Sequence, residues 1–445
     1  MNPFVLNQGG AVSLLDELAK GHHGYELFSC SVRPYRSVSC GVNMVSVNRK
    51  VLYVIQATPG CNAPTKHAFA IADLMKCSGY NVEFLFAGII DPRNRAIQEK
   101  YDYPFEFPEH LKLGHYSILK KYLERATSIS SLKAFRESFE RVKPDYVVYY
   151  GIESRLAAGI LQHCQMSHVP VLVDETDWFD ARFTGDLAAW MVEKSRSRRV
   201  EKVDCLADAV IAISRYFVTH FTLNKRNPNL KIFFLPPINR YNEVSDRIDF
   251  DLRKARKSTR FFYAGSPAGG KDQLLHFLAA VSHVGRECRT NAEAHIVGIS
   301  PAQAEKMFGS LARCESVFFY GRRSHAEVIE MLRHADFGIL FRRPERYAKA
   351  GFSTKFAECM SNGVPMLCNR VGGADLVIEN EVEGLVIDDC SPLHMEEAIR
   401  FACEMDDVKL RDMKTAAFKK AQQLFNLDNY IEPFSAFMNE LSRGA

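Results

Sequence analysis

The sequence predicts an α/β protein made of two doubly wound domains in tandem. Three observations lead there. At 445 residues the chain exceeds what one ordinary hydrophobic core organises and suits two domains of roughly 200 residues. Fully apolar runs of strand length alternate with stretches of helical period in two successive series, the pattern of parallel sheets covered on both faces. Between the two series, residues 238 to 256 are polar and charged, as an interdomain hinge requires.

Residues 1–48 show no clean period and carry the turn-like Gly9-Gly10 and Gly21-His22-His23-Gly24, so they read as an extension. The His22-His23 pair has no carboxylate or cysteine at ligand spacing, and no metal is assigned to it. The first series, over 49–238, opens with the strand Val51 to Ile55, the turn Thr58-Pro59-Gly60 and a helix from Lys66 to Ser78. Gly79-Tyr80 closes that helix before the strand Val82 to Phe86, completing a βαβ unit. The series continues through a strand at 146–150, a helix near 155–164, a strand at 169–173, a helix over 187–206 and a strand at 209–213.

The second series, within 239–424, starts at Arg260 to Gly265. Further strands are expected at 295–297, 317–320, 337–341, 366–369 and 384–387, with helices between. Residues 425–445 read as a closing helix. In doubly wound sheets ligands sit outside the carboxyl ends of the strands, so the loops there are where chemistry is sought.

Composition narrows the function classes. With 47% hydrophobic and 25% charged residues the chain is globular rather than disordered. A formal charge of +4, from 57 basic and 53 acidic residues, is too small for a protein that tracks a nucleic-acid backbone. Twelve cysteines without a CxxC pair point to reduced thiols and a reducing cytoplasm. No apolar run reaches the ~20 residues of a membrane helix, and no signal-like start is seen, so the expectation is neither secreted nor integral. Lys194, Arg196, Arg198, Arg199 and Lys202 form a basic cluster, read either as a solvated helix face or as a surface for anionic lipid at the inner membrane face.

The most informative stretch runs from Gly351 to Leu367. Ser353 or Thr354 starts a helix there, its hydroxyl suited to capping free N–H groups, and Lys355 follows. Glu358 sits one turn further on, and Gly363-Val364-Pro365 stops the helix and launches a strand. An acidic residue on a helix, followed by small residues, Gly, any residue, Pro and a buried strand, resembles the family 4 (group 1) glycosyltransferases, in the branch that builds bacterial surface polysaccharides. That resemblance covers roughly residues 50 to 440.

The resemblance implies the GT-B architecture, two Rossmann-like domains facing each other across a cleft, with the closing helix packed back on the first domain. It implies transfer of a sugar from a nucleoside-diphosphate sugar to a glycan or lipid-linked acceptor, with retention of configuration and no cofactor or obligatory metal. UDP and GDP donors are not distinguished. Glu358 is then expected on the ribose. The family's acidic pair is spaced E-x7-E, and counting back from Glu358 lands on Ala350, so the first acid is missing. Gly265, Ser266 and Lys271 match the loop that meets the diphosphate; relatives carry Arg at the position of Ser266. Lys271 is expected at the start of the following helix, where loop amides, helix dipole and ammonium converge.

Gly321 and Arg322, with Arg323, match the segment flanking the base. Gly60 lies in Pro59 to Pro64, which resembles the family loop that approaches the donor from the first domain. Asp174, Glu175 and Trp178 are expected on the acceptor side, and Glu153 is a further catalytic candidate beside Lys271 and Glu358; these carboxylates equally suit helix caps or pairs with Arg155 or Arg182. Two rival readings stand beside transfer: a catalytically impaired protein that binds donor or a partner transferase, motivated by Ala350 and Ser266, and a nucleotide-sugar 2-epimerase of the same fold.

Overall fold

In a computed structural model of the protein, residues 49–56, 63–88, 103–108, 111, 124, 127–180, 187–239, 256–265, 271–284 and 291–442 are described. The expected extension 1–48, most of the expected hinge, and Gly60 and Ser266 lie outside these residues.

Apolar strands buried along their length need a helix layer on each face, and both domains supply one. The first sheet comprises β1 (Arg49–Ile55), β2 (Tyr80–Phe86), β3 (Phe105–Glu106), β4 (Tyr146–Tyr150), β5 (Val171–Glu175), β6 (Ala209–Ala212) and β7 (Lys231–Phe234). All pair in parallel, in the order β3-β2-β1-β4-β5-β6-β7. Its helices are α1 (Ala63–Cys77), α2 (Ile129–Val142), α3 (Ser154–Met166), α4 (Leu187–Arg198) and α5 (Arg215–Asn224).

The second sheet holds β8 (Ser258–Ala264), β9 (Asn291–Val297), β10 (Val317–Phe319), β11 (Phe337–Leu340), β12 (Met366–Asn369) and β13 (Gly384–Ile387). Its order is β10-β9-β8-β11-β12-β13, again parallel. The helices are α6 (Leu274–Val284), α7 (Pro301–Phe308), α8 (His325–Arg333), α9 (Arg346–Ala350), α10 (Thr354–Met360), α11 (Ala374–Val377), α12 (Pro392–Glu404) and α13 (Asp407–Phe425). Strand order therefore reverses at β1/β4 in one domain and at β8/β11 in the other, the two places where a doubly wound sheet opens a crevice.

The chain crosses between domains twice, and the crossings touch. Asn239 donates its N–H to the Phe425 carbonyl at 2.8 Å, and Leu427 donates to Asn239 at 3.1 Å. Beyond this junction α14 (Asp428–Ser442) returns to the first domain, where Phe434 and Phe437 pack on Phe233 at 5.3 and 5.1 Å between ring centres. Lys231 pairs with Glu440 at 3.3 Å, and Arg49 bonds the Ser442 hydroxyl. Among the described residues no helix is long and apolar enough to cross a membrane.

Two local departures from the expected elements matter for the site. β5 ends two residues later than its apolar run, so Asp174 and Glu175 belong to the sheet rather than to a loop beyond it. The helix expected over 187–206 ends at Arg198 and continues as a π turn, Arg199–Val203, and a 3-10 turn, Asp204–Leu206. The wider π turn lodges Arg199 inside the domain, 3% exposed, beside two buried carboxylates.

Candidate active site

At the reversal point of the second sheet, the ends of β8 and β11 bring Lys271-Asp272 and Arg342 together, with Asp272 and Arg342 bridged antiparallel. The Asp272 carboxylate accepts from Arg342 Nε at 2.7 Å and from the Tyr263 hydroxyl at 2.7 Å, and lies 3.4 Å from Lys355 Nζ. Burial by itself would raise this carboxyl; Lys355 and Arg342 outweigh it and hold the group at about 2. Asn369, ending β12, brackets the Arg342 backbone, accepting from its N–H at 3.0 Å and donating to its carbonyl at 2.8 Å. Arg342 and Lys355 both reach the carboxylate of Asp272, a pair of cations that suits an anion, whereas Lys271 also faces Asp177 and Glu193.

The strand ends above this centre approach one another closely. Lys355 Nζ lies over the Tyr263 ring at 4.9 Å and would be 3.3 Å from a Cβ built at Gly265. Gly298 adopts φ +102°, and a Cβ there would fall 2.3 Å from the Gly265 carbonyl oxygen. Only glycine fits that contact. Gly321 accepts from the Gly298 N–H at 2.8 Å and donates to Ile299 at 2.9 Å, which ties the end of β10 to that of β9.

Other expected site residues sit as follows. Lys271 is not at a helix start: α6 begins three residues later, at Leu274. That ammonium lies 4.1 Å from the Phe179 ring centre, and the loss of water there pushes its pKa down although the residue is exposed overall. Ser353 occupies the N-cap of α10 but its hydroxyl makes no cap bond; its N–H donates to Gly372 at 3.1 Å instead. Thr354 is exposed, and Lys355 and Glu358 are half-buried one turn apart on α10. Arg322 and Arg323 are exposed, Arg323 lying 3.9 Å from Glu327.

The expected acceptor residues are placed differently from the sequence reading. Glu175, 1% exposed, is sealed against Arg199 at 2.5 Å, and burial raises its carboxyl in spite of that guanidinium. Trp178 is buried, its Nε1 donating to Ser197 at 3.0 Å. Asp174 is buried and bound by Tyr53 and His67. Glu153, 6% exposed, sits at the N-cap of α3 without a side-chain cap bond, and its N–H donates to Gln56 at 2.8 Å. All four are buried, Asp174 and Glu175 because β5 runs on through them. The π turn removes Arg199 from the basic cluster and leaves Lys194, Arg198 and Lys202 exposed.

The walls of the cleft meet at residues 176–180 and 346–351. Arg346 lies 4.6 Å from the Trp178 ring centre and pairs with Asp180 at 2.6 Å and Glu201 at 3.7 Å. Tyr347 stacks on Phe179 at 5.8 Å and donates to the Lys271 carbonyl at 2.8 Å. Ala350, the position of the absent first acid, is fully buried, and its carbonyl accepts from the Ser214 hydroxyl across the domain boundary. Arg342, Asn369, His67 and Arg346 were missed by the sequence reading. A polar residue at the end of a buried strand marks Asn369 and one just past it marks Arg342, whereas nothing local marks His67 or Arg346.

Residues 258–404 match the family model described as glycosyl transferases group 1. The C-terminal domain is a group 1 glycosyltransferase domain. It contains the whole cationic centre, from Tyr263 to Asn369. Alpha-D-kanosaminyltransferase of Streptomyces kanamyceticus is 26% identical over 176 residues, covering 37% of this chain and 43% of that protein. The match thus spans less than half of that relative. The structure of Anabaena HepE in complex with UDP and glucose superposes with a TM-score of 0.62 at 16% identity, over 88% of this chain and 100% of that one. The lipopolysaccharide outer core galactosyltransferase WaaB, in its apo form, gives 0.60 at 14%, over 88% and 99%. At these identities the likeness establishes the fold, which is GT-B around the group 1 domain.

Proposed function

We propose that the protein transfers a glycosyl group from a nucleoside-diphosphate sugar to a hydroxyl of a glycan or lipid-linked acceptor, in polysaccharide synthesis and with retention of configuration. The observation that carries this reading is the pair Arg342 and Lys355 around Asp272 at the crevice of the group 1 domain, with Lys271 preceding Asp272 in the chain and its ammonium on the Phe179 ring. Departure of a diphosphate builds negative charge, and fixed cations already held in place stabilise it without rearranging. Glu358, one turn along α10 from Lys355, is the group we assign to the ribose hydroxyls. HepE, solved with UDP and glucose, and WaaB, a galactosyltransferase by its description, support a nucleotide-sugar donor here. We place the reaction at the cytoplasmic membrane face, with Lys194, Arg198 and Lys202 facing anionic lipid; a protein that stays unbound with anionic vesicles at low salt would sink that part.

The test is release of UDP or GDP from a panel of nucleotide-sugars, without added metal, by the wild type, Lys271→Ala and Glu358→Gln. Loss of the ammonium is expected to lower turnover about a hundredfold, the equivalent of ~3 kcal/mol. Ala350 favours one alternative, a protein that binds donor without turning it over, because its burial leaves that position without a side chain for the sugar. Tight nucleotide binding with no release from any donor, even with membrane extract present, would establish that alternative.

A further inference from the structure

A second polar centre lies in the first domain, apart from the diphosphate cluster. His67 Nε2 is 2.9 and 3.0 Å from the two oxygens of Asp174, and the Tyr53 hydroxyl donates to Asp174 Oδ2 at 2.5 Å. Asp174 is 1% exposed, and the His67 side chain 9%. Nε2 is the ring nitrogen turned to the carboxylate, so in the neutral tautomer that donates to Asp174 the acceptor nitrogen is Nδ1. Docking α1 on the sheet does not call for this pair, since Ala68, Phe69, Ile71 and Ala72 already bury that helix.

Its place in the fold points to a substrate. Tyr53 lies on β1, Tyr150 ends β4 and Asp174 lies near the end of β5, around the β1/β4 reversal where a doubly wound sheet receives ligands. The His67 ring packs on Tyr150 at 5.3 Å, and the Tyr150 hydroxyl accepts from Thr176 Oγ1 at 3.2 Å. The Thr176 carbonyl in turn is 3.5 Å from where a Gly351 Cβ would stand. The pair is therefore joined, residue by residue, to the wall that carries α10.

We propose that His67 touches the acceptor: its Nδ1 accepts the hydrogen bond of the hydroxyl that receives the glycosyl group, with Asp174 and Tyr53 as positioning residues. This rests on the transferase reading above. The amides of Asn and Gln substitutions separate the roles of the two ring nitrogens, because Asn places its amide near Nδ1 whereas Gln reaches toward Nε2 and Asp174.

The experiment measures nucleoside diphosphate release at saturating donor by full-length wild type, His67→Ala, His67→Asn and His67→Gln. Water alone and a set of p-nitrophenyl glycosides serve as acceptors, and the dissociation constant for UDP or GDP is measured alongside. The proposal expects His67→Ala and His67→Gln to lose at least about tenfold in kcat with nucleotide affinity within about twofold, and His67→Asn to recover part of the loss. Recovery by Gln rather than Asn assigns the pair to structure and overturns the proposal, as do variants that turn over like wild type or lose nucleotide affinity. A wild type that releases nucleotide from no donor overturns the transferase reading itself, a result distinct from all of these.

Discussion

Replacing Asp272 by Asn removes one negative charge and keeps the shape of the site. The Asn carbonyl still accepts from Arg342 or Tyr263, but Arg342 and Lys355 lose the carboxylate between them. A carboxyl that titrates near 3.8 when unperturbed and at about 2 in the folded protein contributes about 2 kcal/mol to folding when charged. Because its folded value is depressed, that contribution is complete above about pH 4 to 5 and is lost as the pH falls toward 2. Denaturant unfolding of wild type and Asp272→Asn, followed by circular dichroism, should show a gap of about 2 kcal/mol at pH 7 that closes steadily toward pH 2. The same substitution removes one negative charge from beside Arg342 and Lys355, so UDP or GDP should bind more tightly while the protein becomes less stable. A pH-independent gap, or equal stability at pH 7, would refute the electrostatic account of this centre.

Other perturbations test other parts of the structure. Arg199→Met leaves Glu175 and Asp204 buried without their cation and is expected to destabilise the first domain by about 3–5 kcal/mol, read as a shift in its unfolding midpoint. Gly298→Ala drives a methyl into the Gly265 carbonyl and strains a φ of +102°; we expect about 1–3 kcal/mol lost and weaker nucleotide binding in titration calorimetry. Ser214→Ala deletes both the bond to the Ala350 carbonyl and the cap of α5, so about 1–2 kcal/mol should go without a change in nucleotide affinity.

Local chemistry makes part of this protein legible from the chain alone. Apolar runs such as Val51 to Ile55 and Met366 to Cys368 identify themselves as strands because a buried parallel strand needs apolar residues on both faces. The stop at Gly363 is equally local, since φ +68° there is a backbone demand that the residue type announces. By such signals the sequence determined two doubly wound domains, the crevice loops at Gly265 and Gly321, and the helix bearing Lys355 and Glu358. What it did not determine is which polar residues face a substrate and which face each other. Asp174, Glu175 and Trp178 look available after a strand, yet β5 runs on through the two carboxylates, and partners 24 residues away in Arg199 and 107 away in His67 take them up. The same holds for Asp272, whose charge is set by Arg342 and Lys355, 70 and 83 residues distant. Burial and electrostatics depend on what arrives from elsewhere in the chain, and so only the tertiary structure decided where the charge of the site lies and which groups remain to bind.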